Sequence, residues 1–397
     1  MSKWSYVALG EICEITGGNS APQGNEPFDN GTLPFVRMRD LGRYHFTSNL
    51  NKTDDKLTEN AVQKYRMKIF EPGCILFPRS GSVFLNHRAI LGIRAAIVSH
   101  IGVLHKFSDS INVRFLYYYL QTYDMTRLSK KTTGVDSIAF SDVVKIQIPL
   151  PPLPEQEWIA RLLDESESLQ ATRTHAKARM EQFIPGLFQQ MFGDEKFPNI
   201  KLSDLCHFIT KGTTPKSQDI KDEVIENDDV PFIKVYHITD DGGIDFHYHP
   251  AFVSRSIHNV FLKRSIVYPN DVLMNIVGPP LGKIGIVPSE YNEWNINQAI
   301  AIFRAKEKIE PLYLLHTLRH KPILNKLLSQ AVGIRQYNLS LEQCRNFMIP
   351  VPPLALQREF AARVEAARGV QSAQARSAER IEALYQSMLS RAFAGEL

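Results

Sequence analysis

The sequence predicts an α+β protein made twice over. Two related mixed α/β domains, with mainly antiparallel strands, are separated by two long helices that pair as an antiparallel coiled coil under an internal pseudo-twofold repeat. Three observations carry this. Pro149-Leu150-Pro151-Pro152-Leu153-Pro154-Glu155-Gln156 returns as Pro350-Val351-Pro352-Pro353-Leu354-Ala355-Leu356-Gln357, 201 residues on (353 − 152). A run with helical periodicity follows each copy. The stretch before each copy holds the same order of short β-like segments and turns. A fixed period decides architecture before any local reading, and this one is far longer than a solenoid repeat. The limits it sets are 1–153 and 195–353 for the domains, with helices over 154–194 and 354–397.

Composition sets the class. A chain of 397 residues suits two or more domains, and 44% hydrophobic with 22% charged residues is a soluble, globular balance. No apolar run approaches the ~18 residues of a membrane span. Met1-Ser2-Lys3-Trp4-Ser5 lacks the apolar core of a secretion signal, so a cytoplasmic protein is expected. Cys13, Cys74, Cys206 and Cys344 form no C-x-x-C pair, which argues against structural zinc and for reduced thiols. A net charge of +4 permits nucleic-acid binding without demanding it.

In the first half, Leu9 to Gly18 reads as a short element running into a glycine turn. Leu33 to Arg39 alternates apolar and basic residues, a strand with Arg37 and Arg39 on one face. Pro72-Gly73 opens a strand over Cys74 to Phe77, followed by the polar loop Pro78-Arg79-Ser80-Gly81-Ser82. Ile90 to Val103 is β-like, Val113 to Leu128 has helical spacing, Lys130 to Gly134 is a basic turn, and Val143 to Ile148 is a final strand.

The second half repeats this order. Leu202 to Cys206 matches the opening, Val230 to Val235 matches the segment from Leu33, Pro269 to Leu273 matches Pro72 to Leu76, and Ile309 to Leu318 matches Ile111 to Leu120. The offset drifts from 193 (206 − 13) to 201 through insertions in loops, where changes are tolerated and function is carried. Framework positions agree while loop residues differ, so the two domains are expected to recognise different things.

After Glu155 the apolar positions are Ile159, Leu162, Leu163, Leu169, Ala176, Met180, Phe183, Ile184, Leu187 and Phe192; after Gln357 they include Phe360, Val364, Ala367, Val370, Ile381, Leu384, Met388 and Phe393. Spacings of three, four and seven give each run one apolar stripe. Such a stripe is longer than one small domain needs, and antiparallel pairing buries both. Pro185-Gly186 should kink or end the first helix.

These residues resemble the DNA-specificity subunit of type I restriction–modification systems. The resemblance rests on the Ile-Pro-x-Pro-Pro-Leu stretches ending in Gln156 and Gln357, on Met191-Phe192-Gly193-Asp194, and on the Ile-Thr-x-Gly segments at Ile15 and Ile209. Asn297-Gln298-Ala299 and Gly333 to Asn338 complete it, and with the duplication it covers essentially the whole chain. It implies that each half is a target-recognition domain reading one part of a split, asymmetric double-stranded DNA sequence, with the helices as spacer. It implies partners too: two methyltransferase subunits, and restriction/translocase subunits that join for cleavage. No cofactor is expected in this chain. S-adenosylmethionine belongs to the methyltransferase partner, ATP and Mg to the restriction partner.

The residues themselves show no catalytic constellation. No Asn-Pro-Pro-aromatic motif is present, Gly278 to Ile284 falls short of a phosphate loop and ends in Ile284 where Ser or Thr would hold magnesium, and His237 with His247 and His249 lacks the spacing of a metal site. Catalytic, cofactor and metal residues are therefore expected to be none. Base readout needs Arg, Asn, Gln or similar donors and acceptors, and phosphate contact needs Lys, Arg or hydroxyls. In the first domain these are offered by Arg37, Arg39, Arg79, Ser80, Ser82, Asn86, His87, Arg88, Lys130, Lys131, Thr132 and Thr133. In the second they are Lys211, Thr213, Thr214, Lys216, Lys234, Tyr236, His237, Asn275, Lys283, Arg335, Gln336, Tyr337 and Asn338. The competing readings are a diverged, fused modification or nuclease enzyme and a coiled-coil dimeriser without a nucleic-acid role.

Overall fold

Strands buried on both faces need a core on each side, and among the described residues buried side chains form two clusters in the first unit and three in the second. The computed structural model describes residues 4–44, 49–81, 83–132, 135–193, 197–224, 228–332 and 337–396. It forms two units, one of Met1–Ala176 with Gln374–Leu397 and one of Lys177–Ala373.

In the first unit a five-stranded sheet runs in the order Glu14–Gly17, Ile101–His105, Ile75–Pro78, Ala89–Leu91, Asn49–Leu50. A four-stranded sheet runs Asp55–Leu57, Leu33–Val36, Ala95–Ile97, Ile69–Phe70. Pairing is antiparallel except between Leu33–Val36 and Ala95–Ile97, and between Asn49–Leu50 and Ala89–Leu91. Because side chains alternate along a strand, Ile75, Phe77 and Leu104 face one core, with Phe115, Leu116, Ile159, Leu163 and Leu389. Leu76 and Val103 face the other, with Phe35 and Ile97.

The second unit repeats the plan with two four-stranded sheets, Cys206–Lys211, Ile300–Ala305, Val272–Asn275, Ile284–Ile286 and Phe252–Val253, Val230–Ile233, Trp294–Ile296, Ile266–Val267. The alternation returns: Val272, Met274 and Phe303 join Ile184, Phe188, Phe192, Phe360 and Val364, while Leu273 and Ile302 join Trp294 and Ile296. In each unit a short ladder, Ser5–Ala8 with Gln147–Leu150 or Asn199–Lys201 with Met348–Pro350, leads into a long helix.

The long helices span Leu153–Phe192 and Leu354–Ala394. Each unit pairs half of one with half of the other, antiparallel. In the first, Ser166 Oγ lies 3.9 Å from Met388 Sδ and Gln170 Nε2 donates to Glu382 at 2.8 Å. In the second, Gln371 Nε2 donates to the Met180 carbonyl at 3.2 Å. The first helix continues through Pro185, contrary to an ending there. Proline removes one N–H bond, but Ile184, Leu187, Phe188 and Phe192 around it are all in the core, and that burial outweighs the loss.

Four local expectations are corrected. The strand from Leu33 stops at Val36, and a helix starts at Met38, because the buried Asp40 carboxylate accepts the Arg37 N–H at 2.9 Å and turns the chain. The helix from Val113 ends at Thr122, and Asp124 caps a separate 3₁₀ turn by accepting the Thr126 N–H. The basic turn is part of a hairpin, Ser129–Thr132 with Val135–Ile138. The last strand begins at Gln147, preceded by a short helix, Phe140–Val143.

Candidate nucleic-acid interface

One edge shares a set of backbone hydrogen bonds between the two units. Just past the strands Glu14–Gly17 and Cys206–Lys211, the Gly18 N–H donates to the Ile101 carbonyl and the Gly212 N–H to that of Ile300; Asn19 and Thr213 then donate to Ile97 and Ile296. The Arg79 N–H donates to the His100 carbonyl at 2.8 Å, and the Ile276 N–H to Ala299 at 2.9 Å. Ile138 donates back to Arg79, Leu339 to Ile276, Gly81 to Asp136, and Gly278 to Tyr337. Isolated bridges join Ser80 to Ser137 and Val277 to Asn338. The Ile-Thr-x-Gly glycines are explained here: a Cβ on Gly18 would collide with the Ile97 carbonyl, and one on Gly212 with the carbonyls of Ile296 and Asn297.

On this common backbone the side chains diverge. The first unit presents Arg79, Ser80, His100 and Ser137 where the second has Ile276, Val277, Ala299 and Asn338. Ser80 Oγ lies 2.7 Å from His100 Nδ1, and the Arg79 guanidinium stacks over the Phe140 ring at 4.5 Å. In the second unit, polar chemistry moves to the neighbouring turn. Exposed Lys211 and Thr214 flank Gly212-Thr213, Thr214 Oγ1 accepts the Gln298 N–H at 3.3 Å, and Tyr337 and Asn338 are exposed. Lys216 is exposed nearby in sequence.

Other expected contacts are tied up within the fold. Arg37 is ion-paired to Asp55 and sits between the Phe28 and Phe35 rings, at 5.1 and 5.2 Å. Arg39, half exposed, reaches Asp55 at 2.7 Å. Lys130 Nζ donates to Asp142 at 2.8 Å, and this bond holds the Asp142 carboxyl below its usual range. Lys283 Nζ donates to the Ile238 carbonyl at 3.2 Å. Lys234 Nζ lies 5.8 Å from the Tyr236 ring centre, and exposed Tyr236 with Tyr248, His249, Asp222 and Pro250 lines a cavity of about 420 Å³.

Three expected contacts are interior residues. Arg88 is fully buried, donating to the His87 carbonyl at 2.6 Å and to Asn86 Oδ1 at 2.7 Å, and burial pulls its guanidinium down to about 9. His237 is fully buried: its Nδ1 accepts the Lys234 N–H at 3.0 Å, and its Nε2 lies 3.1 Å from the His249 carbonyl. Asn275 is fully buried, donating to the Pro280 carbonyl and accepting the Val277 N–H. A side chain enclosed in this way cannot meet a base edge unless the loop opens. Asn86 is turned inward too, bonded to Tyr123 and Met125, beside half-buried His87, whose pKa burial lowers. Ser82, Thr133, Arg335 and Gln336 lie outside the described residues, as do the side chains of Lys131 and Thr132.

His100 is not singled out by the sequence, because one histidine in an apolar run carries no pattern. Its signal is the Ser99-His100 interruption between two buried strands, which is a turn. Gln298 was visible only inside the Asn297-Gln298-Ala299 segment.

Two related domains with unlike side chains on one repeated backbone define a tandem-domain protein. The chain belongs to the type I restriction modification DNA specificity domain family, whose model matches residues 1–182 and 194–373. It is 29% identical over 440 residues to the type I restriction enzyme EcoBI specificity subunit of Escherichia coli, covering 99% of this chain and 86% of that one. It is 24% identical over 386 residues to the MjaIX specificity subunit of Methanocaldococcus jannaschii, covering 90% and 85%. The fold matches the type I S subunit from M. genitalium (TM-score 0.58, 16% identity, 99% and 96% covered). It also matches a chain from a type I R-M system studied for complex assembly and conformational transition (TM-score 0.60, 20% identity, 99% and 98% covered). Among the described residues no helix is long and apolar enough to cross a membrane.

Proposed function

We propose that this chain is the sequence-reading subunit of a type I restriction–modification complex, each unit reading one half of a bipartite, asymmetric DNA target. The observation that carries this is the repeated edge: one backbone wiring, with Arg79, Ser80 and His100 in one unit and Lys211, Thr214, Tyr337 and Asn338 in the other. Phosphate contacts from lysines and hydroxyls would set register, and donors and acceptors on the turns would read base edges. The paired helices serve as the spacer between half-sites and, with the domains, as the dock for two methyltransferase subunits. Methyl transfer from S-adenosylmethionine to adenine is assigned to those partners. ATP- and Mg-dependent translocation and cleavage are assigned to the restriction subunits, so this chain is the non-catalytic member of a cytoplasmic assembly.

The test is modified-base sequencing of genomic DNA from cells with and without this gene, its methyltransferase partner present in both. Adenine methylation at one split, asymmetric motif should disappear on deletion. Unchanged methylation in a strain whose motif is otherwise active would reject the reading, and S-adenosylmethionine binding by the purified chain alone would return a catalytic role to it.

A further inference from the structure

Gln156 and Gln357, the last residues of the repeated proline stretch, are fully buried amides in the first turn of each long helix. Gln156 Oε1 accepts the Asn112 N–H at 2.8 Å, while its Nε2 donates to the Pro151 carbonyl at 2.8 Å and the Ser110 carbonyl at 3.0 Å. Gln357 Oε1 accepts the Glu310 N–H at 2.9 Å, and its Nε2 donates to the Pro352 carbonyl at 2.8 Å. Asn112 and Glu310 are the N-cap residues of Val113–Thr122 and Pro311–Arg319, the helices that carry Phe115 and Leu116, or Tyr313 and Leu314, into each unit's core. One side chain therefore joins three things within its own unit: the long helix, the proline lead-in and the head of the domain helix.

The chemistry requires an amide. A proline has no N–H to offer its surroundings, and the buried carbonyls of Pro151 and Pro352 each receive a donor from the glutamine. The N-cap N–H needs an acceptor at the same point, and glutamine has both groups on one rigid plane. Apolar packing of Ile159 and Leu163, or of Phe360 and Val364, holds each helix down but is non-directional. A buried amide with fixed partners specifies an angle.

We propose that Gln156 and Gln357 are positioning residues that fix the direction in which each long helix leaves its own domain, and thereby the gap between half-sites that the complex accepts. This rests on the reading of the chain as a specificity subunit. Successive base pairs are displaced by about 3.4 Å and rotated by roughly 35°. Accepting a gap changed by one pair thus requires a shift and a twist together, which a pinned helix head resists.

Gln156→Met and Gln357→Met keep length and volume and remove the amide. Each full-length variant is assembled with its methyltransferase partner. Methylation is then read on DNA carrying both half-sites at the native gap and at gaps one base pair shorter and longer. The wild type should methylate one gap. Each variant should keep the bases of both half-sites and narrow the preference for the native gap by about tenfold. A merely structural glutamine would lower the melting temperature and leave gap preference unchanged, and that result overturns the proposal. A variant that folds cooperatively but is inactive at every gap overturns it as well. Where Gln156→Met does not fold, Gln357→Met decides. A wild type that methylates no bipartite motif rejects the specificity-subunit reading itself, and this inference with it.

Discussion

Ser80 Oγ lies 2.7 Å from His100 Nδ1, and both backbone N–H groups of Arg79 and Ser80 point at the His100 carbonyl, at 2.8 and 3.3 Å. The ring is thus fixed at its root and at one nitrogen. A hydroxyl both donates and accepts, so Ser80 suits either tautomer and holds the orientation of the exposed ring. His100→Ala should change the methylated motif at one position of the first half-site, with the second half unchanged. Losing one good base-edge pair is worth roughly 1–3 kcal/mol of discrimination. Ser80→Ala should loosen the same position less. Modified-base sequencing checks both, and an unaltered motif in cells that still methylate would remove His100 from the reading set.

Much of the fold was legible because it is stated twice. The 201-residue period, the matched order of short β-like segments and the helical stripes each follow from repetition that a single sequence displays, whereas the division of Ile75 and Phe77 from Leu76 between two cores does not. The edge proposed to read DNA was legible only in outline. Arg79 and Ser80 stand out as polar residues on a turn, but nothing in the sequence says that Arg88 folds inward or that His100 comes to Ser80 across 20 positions. Asn275 is the clearest case. An asparagine beside a glycine–proline loop looks the same whether its amide meets a base or the Pro280 carbonyl, and only tertiary structure separates the two.

His316 marks a difference between the units with a pH consequence. In the first unit the Tyr118 hydroxyl, one turn along its helix from Arg114, lies 2.6 Å from Asp164 Oδ1 and 2.9 Å from Glu167 Oε2 on the long helix, within reach to donate to either. The matching places in the second unit hold His316, Glu365 and Arg368 (118 + 198, 164 + 201 and 167 + 201). His316 is buried against the Phe360 ring with its Nε2 unbonded, and burial, then the charges of Arg319 and Arg368, pushes its pKa down to about 3. Its ordinary value is 6.5, so below that pH the unfolded chain takes up a proton that the folded one refuses. Stability should therefore fall as pH drops from 6.5 towards 3, by up to ~1.4 kcal/mol per pH unit from this group. Denaturant unfolding of His316→Leu and wild type at several pH values should show the gap between them shifting in the variant's favour as pH falls. Parallel curves would mean that His316 is not the group responsible.

Asp271 and Arg304 form a well-enclosed ion pair in the second unit, at 2.6 Å. Both carboxylate oxygens receive the guanidinium, at 2.8 and 2.6 Å, and the guanidinium lies between the Phe208 and Tyr268 rings at 4.5 and 4.6 Å. Asp271 also accepts the Tyr268 N–H at 2.9 Å and is 3% exposed. Removing one partner of such a pair strands the other, so Asp271→Ala should cost roughly 3–5 kcal/mol. Arg304→Lys keeps the charge and loses the fork and the stacking, and should cost less but remain measurable. Urea unfolding of the purified chain decides, and an Asp271→Ala cost below ~1 kcal/mol would contradict the enclosure described.

Gly186 and Gly369 sit inside the long helices with open space where a Cβ would be. A helical glycine costs about 0.5–1 kcal/mol relative to alanine, through the backbone freedom it gives the unfolded chain. Gly186→Ala and Gly369→Ala should each raise stability by that amount, additively if the sites do not couple. The contrast is Gly212, also in the second unit, where a Cβ meets the Ile296 and Asn297 carbonyls and Gly212→Ala should destabilise. Melting temperatures of the three variants test the distinction between a glycine required by close backbone approach and one that the helix only tolerates. Since neither helical glycine belongs to the edge proposed to read DNA, the target motif should be the same in both stabilised variants. A change in gap preference instead would show that helix stiffness, as well as helix direction, enters the spacing.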